Sequence, residues 1–262
     1  MANMTSSVLA SQVAGELASA TFEEIPALVE HYREDPRQQV IKACERALKR
    51  HAKELAERER VNDMYELMHE LGGDGLVVGV DEVGRGSVAG PLTVCAVCLP
   101  MEPRVWGIND SKKLTPARRE LLSVKIAEVA TAIGFCHIAP KDIDDMGMAR
   151  AIRAAVAGAV ADTGLEPDCV LMDGNPLGAV PHERDVVKGD AKIACIAAAS
   201  IMAKVTRDEM MVEYDAEYPE YHLAESKGYA SPEHIEAIRK HGLSPLHRVS
   251  FCGNFLQTER LF

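Results

Sequence analysis

The stretch VGVDEVGRGSVAGPL, residues 78–92, decides how the rest of the chain is interpreted. It begins as an apolar run, carries the adjacent carboxylates Asp81 and Glu82, and turns through Gly84-Arg85-Gly86. A second apolar run, PLTVCAVCL, follows at 91–99. Short apolar runs bounded by glycines are typical of buried strands. The stretch therefore predicts two successive strands, with two acids at the end of the first and a glycine-rich turn beside them.

Length and composition indicate a globular protein of ordinary size. The 262 residues are 47% hydrophobic and 26% charged, which suits one domain with a smaller appendage. No run of about 18 apolar residues exists, so no membrane span is expected. The N-terminus lacks the basic start and long apolar centre of a secretory signal, so we expect a cytoplasmic protein, and a monomer. The net charge of -11 argues against a nucleic-acid ligand, although an average can hide local basic patches.

Residues 1–74 differ in character from the rest of the chain. Residues 37–71 contain neither proline nor glycine, and apolar residues recur there at helical spacing, at Val40, Cys44, Leu48 and Leu55. We expect an amphipathic helix with a break near Val61-Asn62 and an end at Gly72-Gly73. The segment holds 9 basic and 14 acidic residues, a net charge of -5. It predicts a solvated helical extension rather than a nucleic-acid-binding arm.

Strand and helix patterns alternate from residue 75 to residue 252. Strands are predicted at 76–81, 91–99, 135–139, 169–173 and within 185–190; helices are predicted at 115–133, 141–164, 192–218 and 231–242. Thr115 and Ser231 are expected to cap their helices, each with proline at the first helical position. This order predicts an α/β layered domain over 75–252, followed by a tail at 253–262.

Acids fall at the ends of three predicted strands. Asp81 and Glu82 end the first, Asp173 ends CVLMD, and Asp190 follows VVKG. If these strands are neighbours, the four carboxylates meet at one edge of the sheet, where α/β folds place ligands. Two such charges about 4 Å apart repel by roughly 4 kcal/mol, so the cluster requires protons or hard cations such as Mg²⁺ or Mn²⁺. Taken singly, each acid is equally well a helix cap or a turn residue, Asp190 above all.

Glycine and basic residues near these acids suit a phosphate ligand. Gly84 and Gly86 let the backbone approach a ligand closely, and Arg85 can fork onto a phosphate. The alternative is a tight hairpin turn with a solvated arginine. Basic or polar residues also cluster around Asn109, Lys112, Lys204 and Arg248, where they offset the objection raised by the net charge.

Six motifs taken together resemble one known family. They are DEVGRGSVAGPL, NDSKKLT, MDGN, VVKGD with IAAASIMAKVTRD, KGYASPEHIEAIRKHG and HRVSF, in one order over residues 76–252. This pattern is similar to that of bacterial ribonuclease HII, the type 2 ribonuclease H, in its longer form with an N-terminal helical extension. The resemblance implies a ribonuclease H-like fold, a mixed five-stranded sheet flanked by helices. It also implies endonucleolytic cutting of RNA paired with DNA, including a single ribonucleotide embedded in duplex DNA.

The resemblance also implies roles for individual residues. Asp81, Glu82, Asp173 and Asp190 match the catalytic carboxylates that hold two Mn²⁺ or Mg²⁺ ions, and the products would carry a 3′-hydroxyl and a 5′-phosphate. Gly84, Arg85 and Gly86 match the loop that reads the ribose 2′-hydroxyl. Tyr229 matches the tyrosine that stacks on the next sugar, with an ordinary half-buried loop tyrosine as the alternative. Candidates for phosphate or backbone contacts are Asn109, Lys112, Ser200, Lys204 and Arg248; Ser200 and Lys204 are equally well helix-packing and surface residues.

Departures from the family pattern leave the proposed ligands intact. Ser87, Cys195 and Ser231 stand where the family usually has Pro, Ser and Thr. The type 3 ribonuclease H is the nearest rival, but its equivalent loop usually has lysine in place of Arg85, and its N-terminal domain is rich in strands. Two further hypotheses are a non-catalytic nucleic-acid-binding protein and a different nuclease or resolvase on the same fold.

The C-terminal residues QTERLF resemble a sliding-clamp-binding peptide. Gln257 comes first, and Leu261 and Phe262 form the apolar pair at the end. A disordered tail of this kind docks its apolar pair in a pocket of the partner. The alternative is a tail that folds onto the core of the protein.

Overall fold

The structure, a computed structural model, describes residues 8–255. It consists of two compact units, and the division between them falls between Asn62 and Asp63. The clamp-binding peptide expected at Gln257, Leu261 and Phe262 lies outside the described residues. Within residues 8–255, no helix combines the length and the apolar character needed to cross a membrane.

The N-terminal unit is helical, as expected. It holds α1 (Ala10–Ser19), α2 (Ile25–His31) and the first part of α3 (Gln38–Gly72). Its small core is formed by Val13, Leu17, Ile25, Tyr32, Val40 and Ala47. The Arg50 guanidinium donates to the carbonyls of Leu17, Ala18 and Ala20 at the end of α1. These bonds satisfy backbone groups that a helix end leaves without partners.

Helix α3 runs unbroken, so the break expected near Val61 is wrong. The reason is a buried stripe that continues through this region at helical spacing, formed by Val61, Met64, Tyr65 and Met68. No glycine or proline interrupts the backbone hydrogen bonds before Gly72. The predicted end is confirmed: Gly73 has φ of 77°, a conformation that glycine adopts readily at helix ends.

The second unit is built on a mixed five-stranded sheet, which confirms the predicted fold class. Its strands are β1 (Val77–Val83), β2 (Leu92–Cys98), β3 (Ala132–Ile138), β4 (Cys169–Asp173) and β5 (Glu183–Val186). Their order in the sheet is β3-β2-β1-β4-β5. The pairs β1–β2 and β2–β3 are antiparallel, whereas β1–β4 and β4–β5 are parallel. The carboxyl ends of β1, β4 and β5 therefore meet at one edge.

Helices cover both faces of this sheet. They are α4 (Pro116–Val129), α5 (Pro140–Met146), α6 (Met148–Asp162), α7 (Ala194–Glu217), α8 (Leu223–Ser226), α9 (Pro232–His241) and α10 (Val249–Cys252). The single helix expected over 141–164 is wrong, because Gly147 has φ of 79° and separates α5 from α6. Both predicted caps are confirmed, since Thr115 accepts from the Arg118 amide at 3.3 Å and Ser231 from the His234 amide at 3.2 Å.

Gly79 determines how α7 packs on the sheet. A Cβ atom at this position would lie 2.3 Å from the carbonyl carbon of Cys195 and 2.4 Å from the Ile196 nitrogen. Only glycine therefore lets the backbone of α7 rest directly on β1. On the opposite face, Val78 and Val80 pack in one apolar cluster with α5 and α6. The contact at Gly79 places Ser200 of α7 within hydrogen-bonding reach of Asp81.

Candidate active site

The structure gathers the four predicted carboxylates at the carboxyl edge of the sheet. Asp81 and Glu82 lie in β1, and Asp173 is the last residue of β4. Asp190 lies in a 3₁₀ turn at 189–191 that follows β5. Their charges act on one another: Glu82 and Asp173 both influence Asp81, and Asp173 influences Asp190. The adjacency of β1, β4 and β5 is what brings these acids together.

Asp81 and Asp190 are the two buried members of the four, and Asp81 carries the largest change in pKa. Asp81 is 8% exposed, its Oδ1 accepts from the Glu82 amide at 2.8 Å, and the Ser200 hydroxyl is hydrogen-bonded to it. Burial, followed by the charge of Glu82, raises the pKa of Asp81 to about 8. Burial also raises the pKa of Glu82 and of Asp190, with Asp173 adding to both. The site therefore holds carboxylates that resist ionisation until a cation compensates their charge.

Asp173 and Lys112 complete the acidic edge. Asp173 Oδ1 accepts from the Gly189 amide at 2.7 Å, which ties the end of β4 to the turn that carries Asp190. The Lys112 ammonium lies 3.8 Å from Asp190 Oδ2. Burial opposes the Lys112 charge, but the surrounding carboxylates raise the pKa of its ammonium. Lys112, expected as a phosphate contact, thus stands at the carboxylates themselves and neutralises part of their charge.

The donor set suits hard divalent cations. It consists of carboxylate oxygens only, which favours Mg²⁺ or Mn²⁺ over zinc. In the arrangement found for residues 8–255, no three His, Cys, Asp or Glu side chains converge closely enough to hold an ion. Two of the four carboxylates have partners in this arrangement: Asp173 accepts from the Gly189 amide, and Asp190 pairs with Lys112. The residues fit such a metal by the chemistry of their donor atoms.

The two glycines of the turn after β1 have different roles. Gly84 has φ of 84°, and a Cβ there would lie 2.2 Å from Arg207 Nε, so this position shapes the turn. A Cβ on Gly86 would meet no atom of the described residues within 4 Å, so its backbone faces open space. Arg85 is exposed, and its guanidinium lies 3.5 Å from Glu82 Oε1. Gly86 and Arg85 are thus accessible to a ligand beside the acids.

Two predicted substrate contacts are buried in the structure. Arg248 is fully buried and donates to the carbonyls of Gly90 and Arg85. Ser200 is 2% exposed, and its hydroxyl oxygen lies 2.9 Å from that of Ser111. Burial leaves neither side chain a surface for a ligand in this arrangement, so the expected direct phosphate contact finds no support there. Each instead supports a neighbouring part of the site.

The remaining predicted contacts lie nearer the surface. Tyr229 is 40% exposed. The Lys204 ammonium donates to Asp208 Oδ1 at 2.7 Å. Asn109 is half-buried, and its side-chain oxygen accepts from the Asp110 amide at 2.9 Å. Tyr229 is therefore the freest of the three for a ligand, whereas Lys204 and Asn109 already have partners.

A chain of two buried histidines supports the Tyr229 segment. His247 Nδ1 accepts from the Ser244 amide at 3.0 Å, so its proton must sit on Nε2. That nitrogen lies 3.1 Å from His234 Nε2, which therefore accepts. His234 Nδ1 then donates to the Tyr229 carbonyl at 2.9 Å. The hydrogen bonds fix both tautomers and require both rings to be neutral.

Sequence reasoning overlooked these histidines and Arg207. Arg207 is fully buried in α7, on the same face as Ser200, Ala203 and Met211. Those residues recur at spacings of three and four, the pattern of a buried helix face. An arginine within that pattern could have indicated a buried guanidinium. The histidine pair had no comparable signal, because its members are 13 residues apart on separate segments.

Fold comparison defines the class of protein. The structure is similar to the ribonuclease H2 from Pyrococcus horikoshii OT3, with a TM-score of 0.59 and 27% sequence identity, covering 70% of this chain and 99% of that one. It also resembles the ribonuclease HII in the PCNA complex from Archaeoglobus fulgidus, with a TM-score of 0.58 and 24% identity, covering 66% of this chain and 94% of that one. The mixed sheet flanked by helices is thus a ribonuclease H-like fold.

Sequence comparison then gives the family. The family model described as Ribonuclease HII matches residues 78–254, and that of the Ribonuclease HII N-terminal domain matches residues 11–71. The ribonuclease HII of Acetivibrio thermocellus is 39% identical over 259 residues, covering 98% of this chain and all of the relative. That of Geobacillus thermodenitrificans is 41% identical over 225 residues, covering 85% and 87%. The chain belongs to the ribonuclease HII family and is a ribonuclease H endoribonuclease.

Replacement of Asp81 by Asn is expected to stabilise the metal-free protein. The folded state raises the pKa of Asp81 above its unfolded value, so its charge lowers stability increasingly as pH rises from about 4 to about 8. The Asn side chain keeps the shape of Asp81 but carries no charge. Thermal unfolding at pH 8 in chelator should show a midpoint at least about 3 °C higher. The exposed Asp185→Asn is the matched control, and an equal rise there would refute the burial argument.

The histidine pair predicts a loss of stability in mild acid. Burial, followed by the neighbouring His234, lowers the pKa of His247 to about 4, and burial also lowers the pKa of His234. The unfolded chain takes up protons near pH 6.5, so this contribution to stability is present above that pH and declines toward pH 4. Denaturant unfolding between these limits should give a flatter pH profile for His247→Gln. The exposed His31→Gln should keep the wild-type profile; a wild-type slope in His247→Gln would contradict the tautomer assignment.

Proposed function

We propose that the enzyme cuts the RNA strand of RNA–DNA hybrids and incises duplex DNA 5′ of a single embedded ribonucleotide. The products would carry a 3′-hydroxyl and a 5′-phosphate. The observation that carries this proposal is the short distance along the chain between the buried acid Asp81 and the open backbone of Gly86. A backbone group next to a carboxylate cluster is suited to recognise the ribose 2′-hydroxyl, the group that separates RNA from DNA.

The proposed catalytic and metal-binding residues are Asp81, Glu82, Asp173 and Asp190. Together they would hold two Mg²⁺ or Mn²⁺ ions, which supply activation of the attacking water and charge stabilisation at the leaving 3′ oxygen. The chain itself positions the acids: Ser200 and the Glu82 amide orient Asp81, and Gly189 orients Asp173. Lys112 would stabilise the Asp190 carboxylate before substrate and ions arrive.

The proposed substrate-binding surface lies beside this cluster. Gly86 offers its backbone to the 2′-hydroxyl, Arg85 offers its guanidinium to a neighbouring phosphate, and Gly84 holds the turn in shape. The exposed Tyr229 would stack on the next sugar, a deoxyribose at an RNA-to-DNA junction. Lys204 and Asn109 would reach the phosphate backbone only after leaving their present partners.

Type 3 ribonuclease H activity and binding without catalysis are the competing hypotheses. Both would leave a single embedded ribonucleotide uncut. The presence of all four acids at one edge favours catalysis, and Arg85 in the turn favours the type 2 reaction. The cellular role, whether replication or ribonucleotide excision repair, follows from which substrate the enzyme prefers.

The direct test is cleavage of a labelled DNA duplex that carries one ribonucleotide. Wild-type protein with Mg²⁺ or Mn²⁺ should cut 5′ of the ribonucleotide and leave an all-DNA duplex intact. Asp81→Asn should lower the rate by at least about a thousandfold, because loss of a metal ligand removes several kcal/mol of transition-state stabilisation. Chelator should abolish cutting.

The outcomes separate the competing hypotheses. Cutting confined to longer RNA stretches would indicate the type 3 activity. Binding without cutting, unchanged in Asp81→Asn and in chelator, would indicate a non-catalytic binding protein. The exposed Asp185→Asn serves as the control and should cut at the wild-type rate.

We also propose that residues 257–262 bind a sliding clamp through Gln257, Leu261 and Phe262. The Archaeoglobus fulgidus relative was solved in complex with PCNA, which supports a clamp as partner. Deletion of 257–262 should abolish co-purification with the clamp and leave cutting of short duplexes unchanged. Equal clamp binding by the full-length and shortened proteins, or none by either, would refute it.

A further inference from the structure

Two arginines lie buried behind the proposed substrate-binding surface. Arg207 belongs to α7, Arg248 precedes α10, and both are fully buried. Within the described part of the chain, neither guanidinium has a carboxylate oxygen within 4.0 Å. Burial of a charge is costly unless hydrogen bonds compensate it. The partners of these two cations therefore show what holds them in place.

Arg207 joins two loops. We name residues 84–91 the glycine loop and residues 226–231 the tyrosine loop. Toward the glycine loop, Arg207 donates to the carbonyls of Pro91 at 2.8 Å and Ala89 at 3.1 Å, and to the Ser87 hydroxyl at 2.9 Å. Toward the tyrosine loop, it donates to the Lys227 carbonyl at 2.8 Å. Different N–H groups of one guanidinium thus donate to both loops and connect them.

Arg248 holds the glycine loop from another side. Its Nε and Nη2 donate to the Gly90 carbonyl at 3.1 and 2.8 Å, and its Nη1 donates to the Arg85 carbonyl at 3.2 Å. Its backbone amide donates to the Val88 carbonyl at 2.8 Å. The carbonyl of Arg85 lies in the peptide bond that precedes Gly86. Arg248 therefore fixes the orientation of the peptide proposed to face the 2′-hydroxyl.

The two loops also contact each other directly. The amides of Val88 and Ala89 both donate to the Gly228 carbonyl, at 2.9 and 3.1 Å. A Cβ on Gly228 would lie 2.3 Å from the Ala89 carbonyl oxygen, so the backbones touch. The Arg207 guanidinium lies 5.8 Å from the centroid of the Tyr229 ring. The glycine loop, the tyrosine loop and the two arginines form one continuous hydrogen-bonded body.

We propose that Arg207 and Arg248 are positioning residues that hold the glycine loop and the tyrosine loop at a fixed separation. The fixed separation would let the enzyme contact the ribose at the cut and the next sugar at the same time. This inference rests on the proposed function. Because both side chains are fully buried, they act through Gly86 and Tyr229 and touch no substrate.

Arginine is required for this role by geometry. Its planar fork aims donors in several fixed directions, whereas a lysine presents all its donors from one atom. The charge is retained at neutral pH even though burial, and then the nearby Arg207, lower the pKa of Arg248 to about 10. Arg→Lys substitutions therefore keep the positive charge but remove most of the hydrogen bonds to the loop carbonyls.

The first experiment measures kcat and KM of full-length Arg207→Lys and Arg248→Lys on the duplex with one ribonucleotide. Each should lower kcat by about 10- to 100-fold, because small misplacements of reacting groups have effects of that size, with KM within about threefold of wild type. Arg50→Lys is the matched control, since Arg50 also donates to three backbone carbonyls but lies in the N-terminal unit. It should leave kcat unchanged. Wild-type kcat in both loop variants would overturn the proposal.

The second experiment tests whether Arg207 acts through Tyr229. In a Tyr229→Ala background, Arg207→Lys should lower kcat by a smaller factor than it does alone, because effects of coupled residues do not add. Fully additive losses would overturn the coupling. Should Arg207→Lys fail to unfold cooperatively, Ser87→Ala removes one acceptor of the same guanidinium and should lower kcat about three- to tenfold. Unchanged kcat in that variant would count against the proposal.

Amide hydrogen exchange provides a measurement that does not require activity. In Arg207→Lys, residues 84–91 and 226–231 should both exchange faster, while Arg50→Lys should match wild type in both. Faster exchange in one loop only would refute the single body. Absence of cutting by the wild-type protein would refute the proposed function alone, since exchange would still decide whether the loops are coupled.

Discussion

The direct contact between α7 and β1 at Gly79 is the constraint on which the site depends. No side chain separates the two backbones there, so the helix has one position on the strand. From that position Ser200 meets Asp81, and Arg207 reaches the carbonyls of the glycine loop. A displacement of α7 would therefore disturb the acid and the loop at the same time. The helix transmits the geometry of the sheet to both halves of the site.

The carboxylates and the two buried guanidiniums occupy separate positions near this helix. The carboxylates lie at the edge of the sheet, where burial and neighbouring charges raise the pKa of Asp81, Glu82 and Asp190. The buried guanidiniums lie behind the loops and are compensated by carbonyl dipoles. Neither group neutralises the other through a direct ion pair among the described residues. The hydrogen bonds that hold the two loops therefore do not involve the four acids.

The sequence predicted the parts of the fold that depend on local patterns. Strands β1 to β4, the caps at Thr115 and Ser231 and the end of α3 follow from apolar runs and from residues with defined conformational preferences. Strand β5 begins two residues before the expected range, because its sequence ERDV is polar and gives no apolar signal. The four acids could be placed because parallel neighbouring strands bring their ends together. Three helix boundaries were wrong: Gly147 divides α5 from α6, and a buried stripe carries α3 past Val61. The helix expected to reach residue 133 ends at Val129, and residues 132–133 belong to β3.

The role of the buried arginines could not be predicted in the same way. Arg207 and Pro91 are 116 residues apart, and Arg248 and Arg85 are 163 apart. A pattern of neighbours along the chain cannot show which carbonyls a distant guanidinium will meet. An arginine in a motif was accordingly interpreted as a surface cation, and only the packing of α7 and of the segment around α10 places it inside.

The separation of Arg248 from the loop that it holds has a consequence for synthesis of the protein. Ribosomes synthesise the glycine loop well before Arg248, which donates hydrogen bonds to its Arg85 and Gly90 carbonyls. A nascent or prematurely terminated chain that ends after α9 already contains all four acids but lacks the Arg248 hydrogen bonds. Since domains fold as units, the proposed recognition of sugars would require translation to pass α10. A truncated product would hold the four acids in its sequence without the arginine that fixes the Arg85 carbonyl, so the segment around α10 completes the site last.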